Sequence, residues 1–413
     1  MIVLSGAALV LADRVLSPGT LVVDEGRIAD IRPDAPSGHA DSHFAFHGHY
    51  IVPGFIDVHV HGVDGIDSLD ARTPDDAVAA IAERLPRYGV TAFCPTTVAC
   101  APADLRRVLD EVRRARAAPA PRAARVLPAH LESNFINPAY GGAQPAACLR
   151  SPAALNPSAS ASSGSREHEA FTAQDILDEI DRAAPDVGIV TIAPELDGGL
   201  DLVRWLVARG HHVSLGHSGA TYEQAIEAIG AGARHATHLF NRMPPLGHRA
   251  PGLAGAVLGA EEIAAEIICD GFHVHPALVR TAIAAKRPSR VFAITDATAA
   301  AGLPVGSRAA LGGQPITTGP STALLADGTI AGSITTMDRV FEVLVAQVGL
   351  SLVDAATVCA TTPARELGLV GYGLLAPGSA ADLVVLDSQL AVVQTYIAGQ
   401  LVYARNTAPS PSV

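Results

Sequence analysis

His59 and His61 are the first residues in the chain whose type and spacing could do chemistry. They lie in the stretch 53–62, where an apolar, β-branched run stands between Pro-Gly and Gly. Such a run predicts a short buried strand, and side chains two residues apart on a strand point to the same side. Neutral imidazole is a common ligand for zinc and iron. On its own, the pair is better explained by two hydrogen-bonded histidines at a strand end.

The elements that must position these residues repeat along the chain. Apolar strand-like runs alternate eight times with helical patterns, and eight β/α repeats predict an α/β fold with a closed (β/α)8 barrel of the TIM type over residues 53–364. The strands are predicted near 54–60, 90–97, 125–131, 187–193, 212–216, 235–239, 264–268 and 290–295. The helices are predicted near 74–88, 102–117, 172–184, 199–209, 221–231, 252–258, 276–287 and 338–349.

Short strand and turn patterns flank this core at both ends of the chain. Residues 1–52 and 365–405 are therefore predicted to meet in one small β-sandwich domain beside the barrel. The last residues, 406–413, are polar and rich in Pro and Ser, which predicts a frayed tail.

A parallel barrel carries its chemistry at the C-terminal ends of its strands. Seven residues that could ligate a metal or move a proton fall at or just after predicted strand ends. Each one alone could be an ordinary surface residue. Seven of them at the C-terminal end of one barrel predict an active site. They are His59, His61, Glu132, His217, His238, His273 and Asp296.

Four of these histidines and two carboxylates suit one or two divalent ions, zinc by preference and ferrous iron as the alternative. A catalytic metal makes water nucleophilic at neutral pH, which predicts a hydrolase. In a binuclear arrangement His59 and His61 would hold one ion, His217 and His238 would hold the other, and Glu132 would bridge them.

The composition of the chain indicates which binding partners and which cellular compartment to expect. The formal charge of −12 argues against nucleic acid and against an anionic membrane surface, because both attract basic proteins. The five cysteines are dispersed and lack a Cys-x-x-Cys pair, which indicates a reducing cytoplasm. No apolar run is long enough to predict a membrane span.

Nine short motifs carry a resemblance to a known family. They are PGFIDVHVHG at 53–62, HLE at 130–132, FINP at 135–138, GHSGAT at 216–221, ATHLFN at 236–241, PGLAG at 251–255, DGFH at 270–273, TDA at 295–297 and GSAADL at 378–383. With these motifs the chain resembles the amidohydrolase superfamily, and within it the deacetylases of N-acetylglucosamine 6-phosphate.

The resemblance implies a metal-dependent removal of acetate from an N-acetyl amino sugar 6-phosphate in amino sugar catabolism, by a cytoplasmic homodimer. It implies that Asp296 is both a metal ligand and the group that takes a proton from the attacking water and passes it to the leaving amine. His273 would donate a hydrogen bond to the oxyanion. Arg249 would reach the neighbouring subunit's site. The substrate positions implied are Ala143, Gln144, Asn241, Arg242, Arg249, His273, Ile330, Ala331 and Gly332.

Three departures from the family pattern alter the predicted substrate wall. Gln144 stands where the family has a histidine, Ser133-Asn134 replaces Gly-Pro, and Arg242 stands where a small residue is expected. Arg242 could form a surface ion pair, add an anion contact, or fill the pocket. The altered wall also leaves open a related substrate: the galactosamine epimer, an unphosphorylated sugar or a biosynthetic intermediate. From a different class, a barrel that has lost catalysis could serve as a binding or assembly protein, but the complete ligand set with Asp296 speaks against it.

The segment 146–170 emerges next to Glu132 and is of low complexity. Its composition predicts a flexible linker, although a loop at a barrel mouth can also act as a lid.

Overall fold

The structure is a computed structural model that describes residues 1–33, 42–70, 76–155 and 170–405. The predicted tail 406–413 and residues 156–169 of the segment 146–170 lie outside the described residues. No helix in the described ranges is long and apolar enough to cross a bilayer.

Eight parallel strands form a nearly closed barrel, which confirms the predicted fold class. Each strand pairs with the next, and the last is joined to the first by hydrogen bonds from Asp296 N to His59 O (3.0 Å) and from His61 N to Ala297 O (2.8 Å). Barrel strands one to eight, in chain order, are Phe55–Val60, Val90–Thr97, Ala129–Glu132, Val187–Ile192, His212–Leu215, His235–Ala236, Ala264–Ile268 and Val291–Ile294.

The third and sixth barrel strands differ from their predicted bounds. Pro128 divides the predicted strand 125–131 into Arg125–Val126 and Ala129–Glu132, because proline has no N–H to donate to a neighbouring strand. The sixth strand stops at Ala236, two residues before His238, whose φ of 30° is incompatible with an extended strand.

A helix forms at each of the eight predicted helical segments. Thr172 and Thr221 begin two of them with capping boxes, and Pro102 and Pro276 occupy the first turn of two others. The helices are Ala77–Arg84, Pro102–Ala117, Ala173–Ala183, Gly199–Ala208, Tyr222–Gly230, Gly252–Gly259, Pro276–Lys286 and Met337–Val343, followed by Leu352–Ala356 and Thr362–Glu366. Short 3-10 turns cover Leu85–Tyr88, Pro138–Tyr140, Ala146–Cys148, Pro152–Leu155 and Pro288–Arg290, and π-helical turns cover Leu344–Val348 and Thr357–Thr361.

Strands from both termini form a separate eight-stranded sheet, as predicted. Leu383–Leu386 pairs antiparallel with Tyr50–Pro53, which joins the two ends of the chain. The sheet has its own apolar core, which includes the fully buried Leu4 and Phe46. Its strands are Ile2–Val10, Val15–Asp24, Arg27–Arg32, Ser42–Ala45, Tyr50–Pro53, Leu383–Leu386, Val392–Ile397 and Gln400–Ala404.

Two small antiparallel additions at the barrel mouth were not predicted. Arg308–Leu311, Gln314–Thr318 and Ala323–Leu325 form a three-stranded sheet after the last barrel strand, and Gly62–Val63 pairs with Ile66–Asp67. The three-stranded sheet touches the barrel loops directly, since the Gln314 amide donates to the Ala143 carbonyl at 2.7 Å.

One ion pair connects the barrel to the terminal sheet. The Arg125 guanidinium donates to both oxygens of Asp382 at 3.0 Å, and Asp382 also accepts from Ala398 N at 2.7 Å. The Asp382 side chain is only 4% exposed, so water cannot replace these bonds.

We expect Asp382→Asn to lower the free energy of unfolding by about 1.5–3 kcal/mol, because charged hydrogen bonds to a buried group are lost. Urea denaturation measures the change. The control is Asp13→Asn, whose ion pair with Arg14 is exposed and should contribute nothing measurable. Equal unfolding midpoints for the two variants would contradict the assignment.

Candidate metal centre and substrate cavity

The first barrel strand places His59 and His61 on the same side of the barrel mouth. Their Nε2 atoms lie 3.2 Å apart, and both side chains are buried. His59 Nδ1 lies 3.1 Å from Oε2 of Glu266, which leaves Nε2 of His59 facing the mouth. Asp296 follows the eighth strand, next to the first, and its Oδ1 is 3.2 Å from His61 Nε2 and 3.3 Å from His59 Nε2.

Glu132, at the end of the third strand, lies between this pair and a second pair of histidines. Its Oε1 is 2.8 Å from Nε2 of both His217 and His238, and its Oε2 is 3.4 Å from Nε2 of His61. Among the described residues, two of the three groups that could hold a metal therefore share one carboxylate: His59, His61 and Glu132 on one side, and Glu132, His217 and His238 on the other. The structure thus brings together all six residues predicted to ligate a metal.

Three of these six residues have left-handed backbone conformations, with φ of 48° at His217, 30° at His238 and 51° at Asp296. Residues other than glycine rarely adopt such values, and they persist where neighbouring contacts enforce them. Backbone hydrogen bonds hold each of these turns here: Asn137 N donates to His217 O at 3.0 Å, Asn241 N donates to His238 O at 2.9 Å, and Asp296 N donates to the first strand. The side chains are therefore aimed inward by the strained turns that follow the strands.

The charge of the cluster favours a cation. Burial raises the pKa of Glu132, but attraction to His217 and hydrogen bonds from His217 and His238 hold it well below its ordinary value. Burial lowers the pKa of His61, yet hydrogen bonds to Asp296 and Glu132 outweigh burial and raise it to about 10. The carboxylates thus draw positive charge into a site whose side chains are buried. A divalent ion would supply this charge and displace the protons.

The donor set fits one or two divalent ions of the kind that prefers nitrogen and oxygen ligands. Four Nε2 atoms converge in two pairs, at 3.2 Å for His59 and His61 and at 3.0 Å for His217 and His238. If both imidazoles of a pair are neutral, at most one Nε2 can donate a hydrogen bond to the other. A cation would instead accept the lone pairs of both Nε2 atoms.

A cavity of about 440 Å³ opens above the cluster, a volume typical of small-molecule sites. His61, Glu132, His217, His238 and Asp296 contribute to its lining. Two of the predicted substrate residues do not line it: Arg249 is exposed on the loop outside, and Ala331 is fully buried. The predicted substrate residues that do line it are Ala143, Gln144, Asn241, Arg242, His273, Ile330 and Gly332.

Comparison with known proteins agrees with this geometry. A match to the amidohydrolase family covers residues 50–402. The chain belongs to the amidohydrolase family. It is 38% identical to the N-acetylglucosamine-6-phosphate deacetylase of Homo sapiens, over 96% of this chain and 91% of the relative. It is 32% identical to that of Bacillus subtilis, over 96% of both chains.

Solved structures give the same result for this amidohydrolase. A mutant N-acetyl-D-glucosamine-6-phosphate deacetylase from Mycobacterium smegmatis, in complex with N-acetyl-D-glucosamine-6-phosphate, superposes with a TM-score of 0.84. It is 33% identical, and the match covers 97% of this chain and 99% of that one. The deacetylase from Thermotoga maritima gives a TM-score of 0.82 at 27% identity, covering 98% of this chain and 100% of that one.

Sequence reasoning missed three residues that support the site of this amidohydrolase. Glu266 orients His59, Asp270 contacts His273, and the Tyr140 carbonyl lies 2.7 Å from Nδ1 of His217. One signal was present in the sequence, because Glu266 is the only charged residue in the apolar seventh strand. The role of Tyr140 had no sequence signal, since it acts through a backbone carbonyl.

His130 belongs to the same motif as Glu132 but is already satisfied. Its Nδ1 lies 2.9 Å from the Val58 carbonyl, which requires Nδ1 to carry the proton, and its Nε2 then accepts from the Thr191 hydroxyl at 2.8 Å. Both ring nitrogens are used, so we read His130 as part of the barrel interior, although His59, His130 and Glu266 lie close enough together to hold a metal ion.

Gln144, one of the departures from the family pattern, is tied to Glu132. Its amide nitrogen donates to Oε2 of Glu132, and its amide oxygen accepts from Ala99 N at 2.8 Å. Both ends of the amide are therefore engaged within the protein. Gln144 supports the shared carboxylate as well as lining the cavity.

His273 lines the cavity and is held by Asp270. Its Nδ1 lies 2.6 Å from Oδ2 of Asp270, and its backbone N donates to Oδ1 of Asp270 at 2.8 Å. Nε2 of His273 is buried and has no partner among the described residues. The Asp270 carboxylate thus fixes the ring so that a nitrogen is left for a ligand.

We expect Asp270→Asn to lower kcat/KM for acetate release by about 100-fold, because the ring loses the carboxylate that orients it. In a His273→Ala background, Asp270→Asn should lower kcat/KM only slightly, because Asp270 acts through the His273 imidazole. Steady-state kinetics of the two single variants and the double variant measure this coupling. Additive losses would show that Asp270 acts independently of His273.

Proposed function

We propose that this amidohydrolase hydrolyses the acetamide of N-acetyl-D-glucosamine 6-phosphate to acetate and the amino sugar phosphate, in amino sugar catabolism. The relatives named for this reaction align over nearly the whole chain. One observation carries the proposal: the Asp296 carboxylate lies within 3.3 Å of the His59 and His61 imidazoles, in the lining of a sugar-sized cavity. This contact supports a proton acceptor next to the residues that would hold a metal.

The cofactor we propose is zinc, with ferrous iron as the alternative, as one or two ions per subunit. When bound, such an ion supplies Lewis acidity, which polarises the carbonyl oxygen and makes water nucleophilic at neutral pH. The buried nitrogen and oxygen donors described above support this choice. The residues that would hold the ions are His59, His61, Glu132, His217, His238 and Asp296.

The chain's own residues carry the proton. The Asp296 carboxylate accepts a proton from water as the new C–O bond forms at the acetamide carbon, and it returns the proton to nitrogen as the C–N bond breaks. This return matters because an amine leaves poorly unless it is protonated. In its imidazolium form, with Nδ1–H donating to the Asp270 carboxylate, His273 donates a hydrogen bond from Nε2 to the oxygen on which charge develops.

The far end of the substrate would be held by Asn241, by the backbone around 330–332, and by Arg249 of a second subunit. Arg249 is exposed on its loop and does not line its own cavity, which supports a role in a homodimer. Sedimentation velocity measures that assembly. The five cysteines, all free, support a reducing, cytoplasmic compartment.

The function is tested by acetate release from N-acetylglucosamine and N-acetylgalactosamine, each with and without the 6-phosphate. We expect the highest kcat/KM for N-acetylglucosamine 6-phosphate. Removal of metal with a chelator should abolish turnover, and zinc should restore it. A higher kcat/KM for another sugar would reassign the substrate, and no turnover of any sugar by metal-loaded protein would favour a binding protein.

Asp296→Asn should lower kcat by about 10²–10⁴-fold, because asparagine cannot accept the proton. The metal content, measured by elemental analysis of the purified variant, should stay close to that of the unaltered protein. Asp201→Asn, at an exposed helix position, is the matched control. Substantial activity in Asp296→Asn would remove Asp296 from the proton transfer.

A further inference from the structure

Arg242 stands at the rim of the cavity, four residues after His238. It lines the cavity, and its residue surface is exposed. Its backbone has a left-handed conformation, with φ of 53°, and its carbonyl accepts a hydrogen bond from Ser218 N at 3.1 Å. The base of the side chain is therefore fixed to the turn that carries His217.

The Arg242 guanidinium lies directly against Gly142. A Cβ atom built on Gly142 would lie 2.5 Å from Nε and 2.8 Å from Cζ of Arg242, and φ of Gly142 is 63°. The left-handed conformation favours glycine at this position, and the missing side chain lets the guanidinium approach this closely. The same segment also contains Tyr140 and Gln144, which contact His217 and Glu132. The guanidinium therefore packs on the segment that borders the metal cluster.

The charges in the cavity are separated. The carboxylates of Glu132 and Asp296 lie on the floor among histidines, whereas Arg242 adds a positive charge at the rim. No carboxylate in the described ranges forms an ion pair with Arg242. A guanidinium is always charged and presents a planar fork of donors that matches phosphate oxygens. The cavity thus suits a ligand with a neutral amide at one end and an anion at the other.

We propose that Arg242 binds the phosphate of the substrate from within its own subunit and sets the preference for a phosphorylated sugar. This inference rests on the proposed deacetylase function. The contact with Gly142 and the lack of a carboxylate partner separate this role from that of a surface ion pair.

The test compares the metal-loaded protein with Arg242→Ala and Arg242→Lys, on N-acetylglucosamine with and without the 6-phosphate. Arg242→Ala should lower kcat/KM for the phosphorylated sugar by about 10- to 100-fold, mainly through KM, because a charged hydrogen bond to phosphate is lost. For the unphosphorylated sugar the change should stay within about threefold. For the phosphorylated sugar, kcat/KM of Arg242→Lys should lie between the values of Arg242→Ala and of the unaltered protein, because lysine keeps the positive charge and lacks the planar fork of donors.

Arg204→Ala is the matched control, because Arg204 is exposed on the helix Gly199–Ala208 and pairs with Asp201. Its kinetics should equal those of the unaltered protein. Equal losses on both sugars in Arg242→Ala, or no loss on the phosphorylated sugar, would overturn the role of Arg242.

Calorimetric titration with glucose 6-phosphate, which cannot be deacetylated, separates this inference from the proposed function. Weaker binding of glucose 6-phosphate by Arg242→Ala supports the phosphate contact, even if no sugar is turned over. In that case the deacetylase assignment is wrong, and the role of Arg242 in binding phosphate still holds. Equal binding by both proteins overturns the role of Arg242, whatever the turnover.

Discussion

The site depends on one buried carboxylate that is surrounded by imidazoles. Glu132 is only 3% exposed, and a carboxylate removed from water is costly unless charge and hydrogen bonds compensate. Oε1 faces His217 and His238, and Oε2 faces His61 and the Gln144 amide. Both carboxylate oxygens of Glu132, the atoms that could bind a cation, thus face side-chain nitrogen atoms. The arrangement makes chemical sense as the shared ligand of a metal centre.

The barrel satisfies this constraint through its geometry. Parallel strands bring residues far apart in the chain to one rim, and the strained turns after the strands direct the side chains inward. The surrounding contacts hold those turns in place. Glu266 acts on His59 from the seventh strand, and the Tyr140 carbonyl acts on His217 from the loop after the third. The precision of the site therefore comes from loops and strands that contribute no ligand themselves.

The cavity combines two electrostatic environments within one volume. Its floor draws positive charge, as the raised pKa of His61 indicates, while its rim carries amide and guanidinium donors. A molecule bound across this gradient is oriented before any reaction occurs, and such positioning lowers the barrier to hydrolysis.

The sequence by itself determined the fold class and the candidate ligands, because strand and helix periodicity is local and the rim of a parallel barrel follows from strand order. The three-stranded sheet at the mouth, the contact of Asp270 with His273, and the contact of the Tyr140 carbonyl with His217 came only from the tertiary structure. Arg242 illustrates why the sequence alone left such contacts undecided. Its sequence context left an ion pair, an anion contact and a filled pocket open, since the partners of a guanidinium lie far away in the chain, and only the fold places it against Gly142.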